Sequence, residues 1–215
     1  MSITLWGRDS SANVQKVRWA LAEIGLAYEH IPLGGKHGGN RDPAYLALNP
    51  NGLVPTLRDG ELVLWESHAI VRYLAATYSA GSLWVESPAA RAIVDQWTDW
   101  TASSFQPAWI AAFWNVVRTP KAEHNPVAIA KSLAETERCL SIMDQRLSQR
   151  PYLGGEMLTY ADLVAGVAMY RWTTMDIDRA THPAVEAWHQ RLRQRQAFRD
   201  AVEVDYGELV GRLAF

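Results

Sequence analysis

Two adjacent hydroxyls, Ser10 and Ser11, stand between a short β-like run and the start of a helical pattern. A serine at the start of a helix can cap the first turn by accepting from an unbonded backbone N–H. The same hydroxyl can donate a hydrogen bond to a thiolate, whose charge the positive end of the helix dipole also favours. Asn13 offers an amide donor to the same place. On their own these residues predict either a simple helix cap or a site that stabilises a thiolate.

The pair Val54–Pro55 stands at the start of a predicted strand. Because proline has no N–H to give to a ladder, it marks either an edge position or a cis peptide bond there. A cis bond would turn the N–H and C=O of Val54 outward, where an extended peptide could pair with them as an added strand. An ordinary trans proline entering a hairpin is equally compatible with the sequence.

Glu66 and Ser67 lie where another helix is predicted to begin. The ordinary interpretation makes Ser67 the N-cap. A helix N-terminus with a hydroxyl and unbonded N–H groups also binds carboxylates, and Glu66 beside it would attract an ammonium group. Together the two residues could hold the carboxylate and the amine of an α-amino acid.

The elements that position these residues follow from the pattern of the first 79 residues. Ile3 to Trp6 and Tyr28 to Leu33 are predicted strands on either side of a helix, which makes a βαβ unit with a parallel pair. After a short helical piece, Asp59–Gly60 lies between two apolar runs, which is a strong hairpin signal. A helix after Ser67 completes the order βαβαββα.

The rest of the chain is predicted to be helical after a small, polar linker at residues 80–88. The sequence therefore predicts an α+β protein of two domains, the first over residues 1–79 and an all-α helical bundle over residues 89–215. Its helices are expected at Ala89–Val117, at Val127–Leu147, after Thr159 and after His182–Pro183.

The charge and composition of the chain argue against several classes of partner. A net charge of −2 without a basic stripe argues against nucleic acid or an anionic membrane surface. No apolar run is long enough to cross a bilayer, the N-terminus lacks a secretory pattern, and the histidines show no metal-ligand spacing. The single cysteine, Cys139, fits a reducing compartment and lies beside apolar positions that favour a core role. We therefore expect a cytoplasmic protein without a metal.

Four segments in order resemble the cytosolic glutathione transferases, and the resemblance covers nearly the whole chain. It implies a thioredoxin-like first domain and an all-helical second domain. Tyrosine-type members carry Tyr on the first strand, where this chain has Trp6, so the resemblance is to bacterial-type, serine-hydroxyl members such as those of the theta and zeta classes. In the last segment Thr159 and Asp162 form a capping box, which serves folding. The segments are SSANVQKV, NPNGLVPTL, LWESHAIVRYLA and GEMLTYAD, at 10–17, 49–57, 64–75 and 155–162.

The resemblance implies a glutathione site in the first domain. Val54, with Pro55 after it, would pair with the cysteinyl backbone of glutathione, and Glu66 with Ser67 would hold its γ-glutamyl end. Many members carry a polar or basic residue where this chain has Leu53. The contact that this residue makes elsewhere would then be missing or supplied by Lys36 or Asn51.

The group that activates the thiol is expected in the serine turn. Ser11 is preferred because it lies closer to the predicted helix start, and Ser10 and then Asn13 are the alternatives. Cysteine-type members place a cysteine in this turn, and this chain has none there. Disulfide exchange through Cys139 is therefore not expected.

The second substrate is expected against the first helix of the helical domain, where aromatic residues are concentrated. For any one of these aromatics, core packing is the alternative. We predict an apolar pocket for a small electrophile, lined by Trp100, Ser104, Trp109, Phe113 and Trp114.

The predicted activity is that of a glutathione transferase that presents glutathione as a thiolate to apolar electrophiles. The resemblance also implies a homodimer with a role in detoxification. Two alternatives stay open at this point. One is a glutathione- or ligand-binding protein of the same fold without catalysis, and the other is glutathione-dependent peroxidase, isomerase or dehalogenase chemistry.

Overall fold

The computed structural model describes residues 3–79 and 81–214. Met1, Ser2, Ala80 and Phe215, which fall within the predicted domain and linker ranges, lie outside the described residues. The first part of the chain follows the predicted order βαβαββα. Its elements are β1 Ile3–Trp6, α1 Ala12–Ile24, β2 Tyr28–Ile31, α2 Pro43–Leu46, β3 Thr56–Asp59, β4 Leu62–Trp65 and α3 Ser67–Tyr78.

The four strands form one mixed sheet in the order β2-β1-β3-β4. β1 and β2 are parallel, as the βαβ pattern predicts, and β3 and β4 form the predicted antiparallel hairpin, with Gly60 in its turn at a φ of 59°. Strand β2 ends at Ile31 rather than at the predicted Leu33. Pro32 explains the difference, because it cannot donate to the ladder.

The rest of the described chain is mostly helical, and helices lie at all four positions that the sequence predicts. One long helical rod runs from Pro88 to Arg118 and consists of α4, α5 and two π-helical turns. A short further helix, α9, was not predicted from the sequence. The elements are α4 Pro88–Trp100, a π turn Thr101–Phe105, α5 Gln106–Phe113, a π turn Trp114–Arg118, α6 Pro126–Leu147, α7 Tyr160–Thr173, α8 Pro183–Arg193 and α9 Gln196–Val202.

The first π turn has a local cause at Pro107. Proline has no N–H to donate back along the helix, and a π turn is one way for the chain to absorb the lost bond. The N–H of Gln106 reaches back to the carbonyl of Thr101, which is the five-residue spacing of a π turn. The extra residue rotates the following helix about its axis and so decides which side chains of α5 face the first domain.

Helix α1 packs between the sheet domain and the helical domain, against α3, α7 and α9. Its Trp19 is fully buried and makes an edge-on contact with Phe198 at 4.8 Å between ring centroids. Gly166 of α7 allows the close approach, since a Cβ there would lie 2.9 Å from the Trp19 ring. The N-terminus of α1 is therefore fixed at the junction of the two parts of the fold.

The predicted capping box at the start of α7 is confirmed. The buried carboxylate of Asp162 accepts from the N–H of Thr159 at 2.9 Å, the N–H of Leu153 at 2.9 Å and the indole of Trp188 at 3.0 Å. Burial raises the pKa of Asp162, and these hydrogen bonds oppose the shift. A single carboxylate thus fixes the loop before α7 and the helix α8 that packs on it.

No helix within the described residues combines the length and apolar character that a membrane span requires.

Candidate functional site

The serine turn lies between β1 and α1, and the two hydroxyls have different environments. Ser11 is the N-cap of α1, and its Oγ accepts a long bond from the N–H of Val14, at 3.5 Å. Ser10 donates its hydroxyl proton to the carboxylate of Glu208 and accepts from Arg8 Nε at 3.1 Å. A hydroxyl has one proton to donate. The proton of Ser10 is therefore engaged, whereas the structure gives that of Ser11 no acceptor among the described residues.

Arg171 of α7 fixes the backbone of this turn from the other side. Its Nη2 donates to the carbonyl of Ser10 at 2.8 Å and to Gln15 Oε1 at 3.1 Å, and its guanidinium lies 4.0 Å from the ring centroid of Tyr206. The side chain is buried, and desolvation lowers the pKa of Arg171 to about 10. The helical domain thus holds the serine turn in place.

Lys16 lies one turn into α1 and is buried, with only 1% of its surface exposed. Its Nζ lies 3.0 Å from Asn13 Oδ1, 3.0 Å from His68 Nε2 and 2.7 Å from Gln106 Oε1. Desolvation lowers the pKa of Lys16 to about 7, and the charge of Glu66 opposes that shift. Burial and the charge of Lys16 lower the pKa of His68 well below its ordinary value, so this imidazole is a neutral partner.

The Lys16 network sets the orientation of two carboxamides in the site. Lys16 Nζ donates to the oxygens of Asn13 and Gln106, so the NH2 groups of both carboxamides point elsewhere. Both residues line the larger cavity described below. The network therefore makes both of them hydrogen-bond donors toward a ligand rather than acceptors.

Most residues predicted to bind glutathione share one small cleft of about 50 Å³. Lys36 lies apart from them, 60% exposed, and its Nζ is 3.4 Å from the carboxylate of Glu208. Asn51 belongs to the cleft, but its backbone N–H and its side chain both donate to Asn49 at 3.1 Å. The cleft is lined by Asn13, Asn49, Asn51, Leu53, Val54, Pro55, Glu66 and Ser67.

The peptide bond between Val54 and Pro55 is cis, which is one of the two alternatives that the sequence left open. The carbonyl of Leu53 accepts from Tyr45 Oη at 2.6 Å and from Asn49 Nδ2 at 2.9 Å, so the loop before the proline is fixed from below. The side chain of Leu53 is 61% exposed. Within the described residues, the N–H and C=O of Val54 make no hydrogen bond.

The start of α3 differs from the ordinary interpretation of Ser67. The helix begins at Ser67, so Ser67 lies in the first turn and Glu66 occupies the cap position. Glu66 has a φ of 71°, the left-handed region, and among non-glycine residues the structure shows a positive φ at no other described position. Such a conformation costs about 1–3 kcal/mol and often accompanies binding sites. It sets Glu66 at the edge of the cleft, beside the buried hydroxyl of Ser67.

A larger cavity of about 470 Å³ lies between the serine turn and the long helical rod. Of the predicted pocket residues, the structure places Trp109, Phe113 and Trp114 in its wall. Trp100 and Ser104 lie outside the wall, and Trp100 instead stacks on Phe105 at 5.9 Å. The cavity is lined chiefly by Arg8, Ser10, Ser11, Asn13, Val54, Gln106, Trp109, Ile110, Phe113, Trp114, Arg118, Arg171 and Leu209.

Sequence reasoning missed several residues around the site. Lys16 could have been noticed as a charge between Val14 and Val17 on the apolar face of α1, and Arg171 as a charge in an almost wholly buried helix. No sequence feature near Glu208 indicates its role, because its partner Ser10 lies 198 positions earlier in the chain.

Cys139 is buried as predicted, and burial raises the pKa of its thiol, so it is poorly suited to thiolate chemistry. Among residues 3–79 and 81–214 no cluster of side chains could hold a metal ion.

Comparison with protein families gives two matches along the chain. The model described as "Glutathione S-transferase, N-terminal domain" matches residues 1–76, and the one described as "Glutathione S-transferase, C-terminal domain" matches residues 105–196. Together they include the serine turn, the small cleft, α5 with its aromatic residues, and Arg171.

Individual proteins are similar over almost the full length. Glutathione S-transferase GstB of Escherichia coli strain K12 is 40% identical over 204 residues, 94% of this chain and 98% of that protein. The theta class glutathione S-transferase of Xanthomonas axonopodis pv. citri with glutathione bound is 48% identical, with a TM-score of 0.92 over 95% of this chain and 98% of that one. Glutathione S-transferase 4 of Zea mays is 32% identical over 91% of this chain and 90% of its own. These matches, together with the fold, show that the chain belongs to the glutathione S-transferase family.

Proposed function

We propose that this protein binds the γ-glutamyl end of glutathione in the small cleft, ionises its thiol at Ser11, and transfers the thiolate to an electrophile in the larger cavity. The matches confirm the prediction of a glutathione transferase with glutathione as its cosubstrate. The roles of individual residues are part of the proposal.

The observation that carries the proposal is the unequal state of the two serines. Ser11 stands at the N-terminus of a 13-residue helix and has a hydroxyl proton to donate, whereas Ser10 gives its proton to Glu208. A thiolate at this place would gain a hydrogen bond from Ser11 and the favourable end of the helix dipole. Asn13, directed by Lys16, would add a second donor.

The two cavities support the path of the reaction because they share part of their wall. Asn13, Leu53 and Val54 line both of them. Glutathione with its γ-glutamyl end at Glu66 and Ser67, and its cysteinyl backbone on Val54, would direct its sulfur to the shared wall. The electrophile would then approach from the side of Trp109 and Phe113, whose rings suit an apolar body.

The experiment is a pH titration of the ultraviolet thiolate band of bound glutathione. Ten tryptophans absorb in the same region, so the reference is the complex with S-methylglutathione, which has no thiol to ionise. We expect a midpoint well below the value of about 8.5 for a free thiol. Binding with an unshifted midpoint would favour the non-catalytic binding protein instead.

We further propose a cytoplasmic homodimer with a role in detoxification. Three exposed apolar side chains offer surface that a partner copy could cover, namely Leu62, Trp65 and Ile93, each 40% or 41% exposed. Size-exclusion chromatography with light scattering measures the mass directly, and a monomer at micromolar concentration would contradict this part of the proposal.

A further inference from the structure

The buried ammonium group of Lys16 holds two carboxamides that come from different parts of the fold. Asn13 belongs to the first turn of α1, and Gln106 is the first residue of α5. Their oxygens lie 3.0 Å and 2.7 Å from the same Lys16 Nζ, so the two side chains are close together and both are fixed. Each of them therefore presents its NH2 group, a hydrogen-bond donor, on the side away from Lys16.

The NH2 group of Gln106 is available to a ligand. It makes no hydrogen bond within the described residues, and the residue is half-buried and lines the larger cavity. Lys16, by contrast, does not belong to the wall of that cavity. The polar group that Gln106 offers to the cavity is thus its NH2 group and not its oxygen.

The two carboxamides face different parts of the site. Asn13 lines both the small cleft and the larger cavity, whereas Gln106 lines only the larger of the two. Under the proposed function, the small cleft holds the γ-glutamyl end of glutathione and the larger cavity holds the electrophile. Gln106 therefore lies on the side of the electrophile, and Asn13 lies beside the thiol position.

The position of Gln106 depends on the π turn that precedes α5. The turn ends at Phe105, and the N–H of Gln106 closes it on the carbonyl of Thr101. Lys16 binds the side chain of the same residue from α1. Backbone and side chain are thus both held, and π turns inside helices are frequent at functional sites. A donor that is already held in one direction loses little freedom when a ligand binds, which suits it to distinguish between ligands.

Trp109 adds a second N–H donor on the same face of α5. It lies three residues after Gln106, a spacing that places side chains on one face of a helix. Its indole Nε1–H is buried and has no hydrogen-bond partner in the described part of the chain. No aspartate or glutamate among the described residues lines the cavity. An oxygen of the electrophile would therefore meet donors on this face, without a competing carboxylate.

We propose that Gln106 selects the electrophile by donating to an oxygen that is conjugated with the carbon that the thiolate attacks. The substrate class is then that of α,β-unsaturated carbonyl compounds with an apolar body. This inference rests on the proposed function, because it names the residue that recognises the second substrate in the same cavity. Lys16 acts through Gln106 and is a positioning residue. The donor matters most in the transition state, because the carbonyl oxygen gains negative charge as the new bond forms.

The step is an addition of the thiolate to the carbon–carbon double bond. The sulfur attacks the β carbon, and a C–S bond forms. The π pair of the double bond moves toward the carbonyl group, so that the negative charge lies largely on the oxygen, where the NH2 group of Gln106 donates to it. Solvent, which took up the proton of the thiol earlier, then gives a proton to the α carbon. The product is a thioether that retains the carbonyl group, and no group leaves.

The test compares two electrophiles that share a phenyl ring and react with the same thiolate. One is 4-phenyl-3-buten-2-one, and the other is benzyl chloride, which has no carbonyl group and releases chloride in line with the attacking sulfur. A variant that only impairs the thiolate lowers both values of kcat/KM by similar factors. The ratio of the enone value to the benzyl chloride value therefore reports the contact with the oxygen.

Two variants remove the donor in different ways. Gln106→Glu keeps the length of the side chain and an oxygen toward Lys16, whereas Gln106→Met is uncharged and has no NH2 group. In both, we expect the ratio to fall about ten- to hundredfold, the range for a hydrogen bond to a charged oxygen. The matched control is Gln145→Met on α6, at an exposed position outside the cavity, and it should keep the wild-type ratio. An unchanged ratio in Gln106→Met, with a raised pKa of bound glutathione, would show that Gln106 serves the thiolate and would overturn the proposal.

An infrared measurement separates this inference from the proposed catalysis. The complex contains the enone with an isotopic label at its carbonyl carbon, together with S-methylglutathione, which has no thiol to add. A hydrogen bond to the oxygen weakens the C=O bond, so we expect the carbonyl band at lower frequency in the wild type than in Gln106→Met. This result would support the contact even in a protein that transfers nothing. Carbonyl bands at the same frequency in the two proteins would overturn it, whatever the activity.

Discussion

The Ser11→Ala variant tests the central assignment because it removes one donor and little else. A hydrogen bond to a charged group contributes about 1.5–3 kcal/mol, and one pKa unit corresponds to about 1.36 kcal/mol. The pKa of bound glutathione should therefore rise by about one to two units. The cap bond from Val14 is long, at 3.5 Å, so the loss of folding stability should stay near 0.5 kcal/mol, the low end for caps.

The pH dependence follows from the sign of this shift. A rise in the pKa of a thiol reduces the thiolate fraction below that pKa and has no effect well above it. Taking a wild-type midpoint of about 6.5, the thiolate fraction at that pH falls from about one half to about 1–10% in the variant. Turnover should fall by roughly five- to fiftyfold there and recover toward the wild-type value near pH 9.

The assay measures the thiolate band of bound glutathione and, in parallel, kcat across the pH range for wild type and three variants. Ser10→Ala should shift the midpoint by less than about half a unit, because the proton of Ser10 is already given to Glu208. Ser103→Ala, at an exposed position outside the cavity, is the matched control. A normal midpoint in Ser11→Ala together with a raised one in Ser10→Ala would refute the reasoning.

Three further predictions concern charged groups around the site. Lys16 has a folded pKa of about 7 against about 10.4 in the unfolded chain, so the unfolded state binds more protons between these values. Wild-type stability should therefore rise with pH across this window, by at most about 5 kcal/mol. Urea unfolding at several pH values should show a flatter profile for Lys16→Met, and parallel profiles would contradict the assignment. Glu208→Gln removes the anion beside Arg8 and should lower the Kd of glutathione a few-fold at low salt, an effect that calorimetry should find smaller at high salt. Asp162→Ala leaves four buried donors without their acceptor, namely the N–H groups of Leu153 and Thr159, the Thr159 hydroxyl and the Trp188 indole. It should cost about 3 kcal/mol or more by thermal unfolding, whereas Asp176→Ala, at an exposed position, should cost under about 0.5 kcal/mol.

The fold was largely predictable because its elements follow from local patterns. The apolar spacing of α1, the Asp59–Gly60 turn and the box formed by Thr159 and Asp162 each act over a few residues. The same locality explains the error at β2, where the prediction ignored the missing N–H of Pro32. It also explains Ser67, since the residue type suggested a cap but the backbone of Glu66 took that position.

The lining of the larger cavity was less predictable, because it depends on helix phase. The apolar pattern predicts one regular helix through residues 100 to 114, and the π turn at Thr101–Phe105 breaks that regularity. After it, Trp109 and Phe113 face the first domain, whereas Trp100 packs against Phe105. A π turn depends on tertiary packing as well as on Pro107, and the apolar pattern alone gives no sign of it.

The charges that flank the serine turn were missed for a different reason. Lys16 and Arg171 lie on faces that are otherwise apolar, and their partners come from other elements, such as Gln106 for Lys16 and Ser10 for Arg171. Burying a charge costs several kcal/mol, and well-packed apolar residues would often give a more stable protein. Folding stability therefore does not explain either residue. Their common property is that each fixes a group beside the thiol position, the carboxamide of Asn13 in one case and the backbone of Ser10 in the other. The stability given up at these two positions is thus best understood as the cost of holding hydrogen-bond donors in a fixed direction before a ligand arrives.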